Sequence, residues 1–461
     1  MAHDEDFLAQ RTQSLLLLDS TDDDLSTLDA ELSNDNDDWQ WEERLRLIND
    51  FSNWTSGNSG LDQFIQQTQL ENPDQKFHMR WIDYKDNFSN VKLVAEGGHS
   101  SVFSATWLNK TDQVWDGAKQ AFVEKPLVVA LKVLKDSQNL SYEFLDEFKR
   151  HASLKLDGCG YMVHCHGVSR HPETNEYIVV MNFAEEGDLR RYLQRNVRTL
   201  RWKDTVDILC NIAMGLHDIH KNGTFHKNLH CGNVMKFYNC YIADFGLCGP
   251  SNSSAPRGVY GSLPFVAPEV LAGGTFSAKA DIYSFAFIMW ELSSGREPFS
   301  DRPHDHSLAL EICHGFRESV MPGTPLFYEK LMRRCWDADP SKRPDAEEIV
   351  DILSSPYEYQ CQLLGIDELG SDGINELESF DQTLASKMVD QKDVVKPKKH
   401  PFAFYTSKFL LFPNLPEPRN QDKVEPVVIV PYSNAHQTSQ DEDEVTYEEY
   451  DTNCPLPPES Y

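Results

Sequence analysis

The apolar residues of this chain change their period once, near residue 188, and that change constrains the fold more than any other feature. Before it they fall in short runs rich in β-branched residues: Val91–Val94, Val102–Trp107, Leu127–Leu134 and Tyr177–Met181. One helical pattern interrupts them, where Phe144, Leu145 and Phe148 follow Tyr142. After it the chain turns mostly helical, over Leu189–Leu193, Trp202–His220, Ala280–Ser293, Leu308–Gly315, Leu326–Cys335 and Ala346–Leu353. Strands first and helices later predict an α+β arrangement of two lobes.

Charge divides the 461 residues differently. Residues 1–76 carry a net charge of −14, residues 77–354 only −4, and residues 355–461 −12. A nearly neutral body therefore sits between two acidic ends. The total of −30 argues against a nucleic-acid partner, because the phosphate backbone is itself a polyanion. No apolar run is long enough to span a bilayer; Leu15–Leu18 and Phe285–Trp290 fall far short. The ten cysteines include no C-x-x-C pair, which points to reduced thiols and a cytoplasmic or nuclear location.

The acidic N-terminal segment, residues 1–76, contains a helical hairpin at 39–70. Trp41, Leu45, Ile48 and Phe51 recur at helical spacing, as do Leu61, Phe64, Ile65 and Thr68, with a Ser56–Gly60 turn between them. The hairpin packs on the body or binds a partner, and the first reading is favoured. Residues 355–461 read as an acidic, mostly disordered tail holding short apolar pieces at Phe402–Tyr405, Phe409–Phe412 and Val427–Val430.

Taken alone, Gly97-Gly98 between two strands and a lone Lys132 in an apolar run say little. Their meaning comes from motifs farther along the chain: His226-Lys-Asn-Leu-His-Cys-Gly-Asn233, Asp244-Phe-Gly246, Ala267-Pro-Glu269, Asp281 and Arg343-Pro344, in that order. This series resembles the protein-kinase superfamily over about residues 88–354, which implies a kinase-like domain at 77–354. Asp281–Glu291 and Cys335–Pro344 look like its tyrosine-kinase-like branch. Asn53–Asn58 and Asp301–His306 are similar to an expanded group of fungal kinases of that branch. The resemblance implies a two-lobed protein-kinase fold, with a β-rich N-lobe and an α-helical C-lobe.

The resemblance also implies roles. Ala95, Glu96, Gly97, Gly98, His99, Ser100 and Val102 form the loop that covers ATP phosphates. Only the middle glycine of that pattern, Gly97, is kept. Ala95 and Ser100 add a Cβ where the backbone approaches phosphate. Lys132 would contact the phosphates and pair with Glu147. Met181 falls at the gatekeeper, and Asn182 and Ala184 at the adenine-binding hinge. Val102, Ala130 and Met235 would sandwich the base. Asn233 and Asp244 match the Mg²⁺ ligands, hard oxygen donors suited to that ion. Glu269 and Arg343 match a structural ion pair, and Asp281 a brace for the catalytic loop. Ser251, Ser253, Ser254, Tyr260 and Ser262 are activation-segment hydroxyls that could take phosphate.

The departure is Asn228, which stands where the family has its catalytic Asp. A carboxamide can orient a substrate hydroxyl but is not a useful base. Lys227 replaces the usual Arg and loses its planar fork. His230 replaces the Lys usual in serine/threonine kinases. The implied function is a signalling protein that binds ATP and Mg²⁺, a pseudokinase or strongly impaired kinase, with protein partners or substrates. An active serine/threonine or tyrosine kinase is the alternative. A scaffold that binds no nucleotide is the second.

Overall fold

In the computed structural model, residues 47–71, 79–97, 100–116, 121–138, 160–196, 199–244, 258–355 and 399–421 are described. Helix α1 (Ser59–Glu71) begins where Asn58 Oδ1 accepts the amide of Leu61 at 3.0 Å. Asp62 holds the turn before it, accepting from Ser56 N at 2.8 Å and Thr55 Oγ1 at 2.6 Å. Leu61, Phe64, Ile65 and Thr68 are all buried on one stripe, the spacing read from the sequence.

That stripe packs on a six-stranded sheet. Its strands are β1 (Arg80–Trp81), β2 (Phe88–Glu96), β3 (Ser100–Asp116), β4 (Ala121–Leu134), β5 (Cys165–Arg170) and β6 (Tyr177–Asn182), in the order β1-β5-β6-β4-β3-β2. All pairs are antiparallel except β1 with β5. Alternation along β4 sorts its two faces. Val129, Leu131 and Val133 join Phe88, Trp107 and Ile178 in one cluster. Lys132, between Leu131 and Val133, points the other way. Its partner Val179 lies in the second cluster, with Leu61, Phe64, Ile65 and Tyr177. Helix α1 thus covers part of the face that carries Lys132, and Tyr177 Oη donates to Ser56 O at 3.3 Å.

The helical lobe comes next: α2 (Leu189–Asn196), α3 (Trp202–Lys221), α4 (Ala278–Ser294), α5 (His306–Cys313), α6 (Leu326–Cys335) and α7 (Ala346–Ser354). Helix α4 is buried all round from Ala280 to Ser294, as its low polarity requires, and is the axis of the largest core. It ends at Gly295, whose φ of 64° and N–H bond to Glu291 O close the last turn. Two hairpin strands, β7 (Val234–Lys236) and β8 (Cys240–Ile242), precede the activation segment, and β9 (Val259–Gly261) lies near its end. Glu269 and Arg343 meet as a bidentate pair with both N–O distances at 2.7 Å. Arg343 is buried and also donates to Asp337 O and Lys279 O, so its contacts cross-link loops to α4.

The tail departs from the solvated reading over residues 399–421. Ala403, Tyr405 and Leu410 join the core of the helical lobe, and β10 (Lys408–Leu410) pairs antiparallel with β9. Two of the apolar pieces noted in the sequence, Phe402–Tyr405 and Phe409–Phe412, lie in this docked segment, and Val427–Val430 lies outside the described residues. Residues 39–46, the start of the expected hairpin, lie outside the described residues, whereas residues 47–50 are helical.

Leu61 and Ile65 are fully buried, so truncating either leaves a cavity under the sheet. Leu61→Ala or Ile65→Ala should lower stability by about 2–5 kcal/mol and the melting midpoint by roughly 5–20 °C. Calorimetry of the full chain checks this, and an unchanged midpoint would show that α1 does not stabilise the body.

Candidate active site

The site is built around a carboxylate buried in the helical lobe. Asp281, in the first turn of α4, accepts from three donors: His226 N at 2.8 Å, Lys227 N at 2.9 Å and the His220 ring at 2.9 Å. Burial pushes its pKa up. The hydrogen bond and charge of His220 more than offset this, leaving it below the ordinary value and ionised. These bonds set the backbone of the loop that begins at His226, and Lys227 takes a left-handed φ of 66° within it. The His226 ring extends the scaffold. Its Nδ1 accepts the Asn228 amide at 3.3 Å, so its Nε2 carries the proton and donates to Ala243 O at 3.0 Å. Ala243 N in turn donates to Asn233 O at 2.8 Å. The Asn228 loop and the residue before Asp244 are therefore held together.

Asp244 takes a left-handed φ of 66°. Its Oδ1 meets Lys132 Nζ at 2.8 Å, a contact between strand β4 and the helical lobe. The lysine charge holds the Asp244 carboxyl down to about 2, so it is a full anion at neutral pH. Asn233 Nδ2 donates to Asn228 O at 2.8 Å and to Asp244 Oδ2 at 3.4 Å. With the amide nitrogen so engaged, Asn233 Oδ1 remains as an oxygen donor beside the carboxylate. Among the described residues no cluster of three or more His, Cys, Asp or Glu could hold a metal alone. One carboxylate and one carboxamide fit Mg²⁺ that arrives with a nucleotide, since phosphate oxygens and water fill its remaining positions.

The strand register places several of the residues expected at the base on one face of the sheet. Val102 pairs with Lys132, Ala130 with Met181, and Ala130 and Lys132 are two residues apart on β4. Val102, Ala130, Lys132 and Met181 therefore share one face. Asn182 N donates to His164 O, and Ala184 is buried. Met235 approaches from the other lobe, in β7, bridged to Asp188. At the loop tip Ala95 pairs with Val102, Gly97 N donates to Ser100 O at 2.8 Å, and Lys135 holds Glu96 Oε1 and Gly97 O. Gly98, His99 and Glu147 lie outside the described residues, as do Ser251, Ser253 and Ser254. Tyr260 is half-buried in β9 and Ser262 is buried.

The roles of three contributors were not read from the sequence. His220 and His226 act through contacts between segments distant in the chain. Ser407 donates its hydroxyl to Asn228 Oδ1 at 2.9 Å from the C-terminal tail. No local pattern marks that serine; its only signal is the apolar pieces on either side.

The arrangement brings Lys132 of the sheet against Asp244 of the helical lobe, with Asn233 and Asn228 beside them. Residues 89–353 match the family model described as protein tyrosine and serine/threonine kinase. The match takes in more than half of the chain, which therefore belongs to that family. Similar proteins include a probable serine/threonine-protein kinase of Dictyostelium discoideum, 27% identical over 59% of this chain. A putative serine/threonine-protein kinase/receptor of Acanthamoeba polyphaga mimivirus is 27% identical over 59%, and Dictyostelium drkC, a probable serine/threonine-protein kinase, 24% over 62%. The chain spans 20%, 16% and 38% of the length of these relatives. Among the described residues no helix is long and apolar enough to cross a membrane.

His230 gives a pH prediction. Its Nδ1 accepts Gly232 N at 3.1 Å, and burial together with the Arg190 charge brings its pKa down to about 3. An unfolded histidine protonates near 6.5, so His230 contributes stability that is complete above that value and lost as pH falls toward about 3. His230→Asn keeps an acceptor for Gly232. It should reduce proton uptake on unfolding near pH ~5 by about one proton, measured calorimetrically in buffers of different ionisation enthalpy.

Proposed function

We propose that this chain binds Mg·ATP as a signalling protein but transfers phosphate poorly, a pseudokinase or strongly impaired kinase. One observation carries the reading: Lys132, Asp244 and Asn233 form a continuous set of contacts, while Asn228 beside them offers a carboxamide. Lys132 would hold nucleotide phosphates, and the shared face of Val102, Ala130 and Met181 would take the base, with Met235 opposite. Bound Mg²⁺ would neutralise phosphate charge at Asp244 and Asn233. Asn228 orients an acceptor hydroxyl through Oδ1 but cannot take its proton. The loop at 95–102 lacks two of the three glycines of the family pattern, which weakens phosphate contact.

The Asp281–Glu291 and Cys335–Pro344 segments favour the tyrosine-kinase-like branch, and Asn53–Asn58 with Asp301–His306 favour its fungal group. Five buried free thiols among the described cysteines favour a cytoplasmic or nuclear setting. Its partners are proteins, met as a regulator rather than as a fast catalyst. An active serine/threonine kinase is the second reading, favoured by the names of its relatives and by loose phosphoryl-transfer transition states that ask little of a base.

The test pairs binding with transfer. Asn228→Asp should raise phosphate incorporation from Mg·ATP by one or more powers of ten, given the ~10²–10⁴ worth of a positioned base, with ATP affinity nearly unchanged. Asp244→Asn should weaken Mg²⁺-dependent nucleotide binding, read by calorimetry. Wild type as fast as Asn228→Asp would establish the active kinase instead. No ATP binding by either protein would leave an interaction scaffold.

A further inference from the structure

We propose that residues 399–421 are the resident occupant of this chain's own acceptor groove, and that Ser407 is the hydroxyl that groove presents for phosphorylation. The proposal rests on the reading of Asn228 as the residue at the acceptor-orienting position. Its geometric basis is independent of any transfer.

Three sets of contacts carry it. The first is an added strand: Lys408, Phe409 and Leu410 pair with Gly261, Tyr260 and Val259. An extended segment that adds a strand to an exposed edge is a common mode of peptide recognition. The second is the hydroxyl. Immediately before the strand, Ser407 Oγ donates to Asn228 Oδ1 at 2.9 Å, the contact an acceptor makes before transfer. A one-carbon stem reaches Asn228 from this strand, whereas a tyrosyl hydroxyl carried on a ring would overshoot it. The acceptor class is therefore an aliphatic hydroxyl, serine here, rather than a phenol.

The third set anchors the segment on both sides. Upstream, Lys399 pairs with Glu297 at 2.8 Å, and His400 N donates to Ser300 O at 2.8 Å. Tyr405 is buried, donates to Pro298 O at 2.8 Å, and lies under the Arg190 guanidinium at 5.1 Å. The His304 ring meets Phe404 O at 2.8 Å. Downstream, Arg419 N donates to Cys313 O, and Asn420 exchanges hydrogen bonds with Ala338 N and Asp337. Gly258 completes the fit, since a Cβ there would lie 2.2 Å from the Phe409 ring. Acceptor and site belong to one chain, so the serine is held at high effective concentration and an external peptide must displace it.

In the transfer itself Ser407 Oγ forms a bond to the γ-phosphorus of ATP while the bond from that phosphorus to the β,γ-bridging oxygen breaks, and ADP leaves. The Ser407 proton passes to an oxygen of the transferred phosphoryl group, because Asn228 is not a base. The wild-type chain thus holds its own substrate in place and phosphorylates it slowly, and Asn228→Asp provides the missing base.

The test uses the full chain in two arms. With Asn228→Asp and Mg·ATP, phosphate should appear chiefly on Ser407, located by mass spectrometry. Its first-order rate constant should be unchanged across a ~tenfold range of protein concentration. Label that spares Ser407, or a rate constant proportional to concentration, would overturn the proposal. The second arm needs no nucleotide. Leu410→Asp should raise hydrogen exchange of the Val259–Gly261 amides by about tenfold or more while α3 and α4 stay protected. Leu410→Ala replaces it should that variant fail to fold. Unchanged exchange at 259–261 in a folded variant would show that the strand does not occupy the groove. Failure to bind ATP would sink the functional reading alone, and the exchange arm would still decide occupancy.

Discussion

Asp281 is the charge on which the site depends. Three donors converge on its buried carboxylate, two of them consecutive backbone amides at His226 and Lys227. A buried carboxylate is tolerated when its lone pairs are filled, and here filling them fixes the path of the loop. From that loop come Asn228 and Asn233, and through His226 the same scaffold grips the segment before Asp244. Removing the charge would leave several buried N–H groups unsatisfied at once, so the geometry of the site and the stability of the lobe are one problem.

The site separates two demands that an active phosphotransferase meets together. Holding a nucleotide needs a cation, a metal-binding anion and an apolar wall; under the proposed function Lys132, Asp244 and the Val102–Ala130–Met181 face would supply these elements. Taking a proton needs a carboxylate at one further position, where this chain has an amide of nearly the same shape. Asn228 keeps the hydrogen-bonding frame, because its backbone carbonyl still accepts from Asn233 and its Oδ1 still accepts a hydroxyl. An amide in place of a carboxylate is conservative in geometry and severe in chemistry, so the loop can be folded and well braced whatever its capacity to take a proton.

The C-terminal segment gives the acidic tail a structural role. Only a few of its residues enter the core, yet a strand pairing, a cation over Tyr405 and two terminal anchors hold it along the helical lobe. Phe402, Phe404, Phe409 and Leu411 remain exposed on it, so its burial is partial.

The sequence by itself determined the lobes and their order, and it named Lys132, Asn228, Asn233 and Asp244, which the structure brings together. Alternation around Lys132, the stripe Leu61–Thr68 and the apolar run of α4 are local patterns, and burial tracks them because their period matches their geometry. Glu269 could be paired with Arg343 in advance because ordered motifs carry long-range information through a resemblance. Only the tertiary structure decided which face α1 covers, that Lys132 reaches Asp244, that His220 and His226 brace the loop, and that Ser407 meets Asn228. These are contacts between segments far apart in the chain, set by register and docking. A lone serine among prolines and aromatics carries no local signal of the groove it enters. Composition read the tail as solvated because its net charge outweighs a few apolar pieces; over residues 399–421 the fold differed because two of those pieces meet the edge of β9 and the half-buried Arg190.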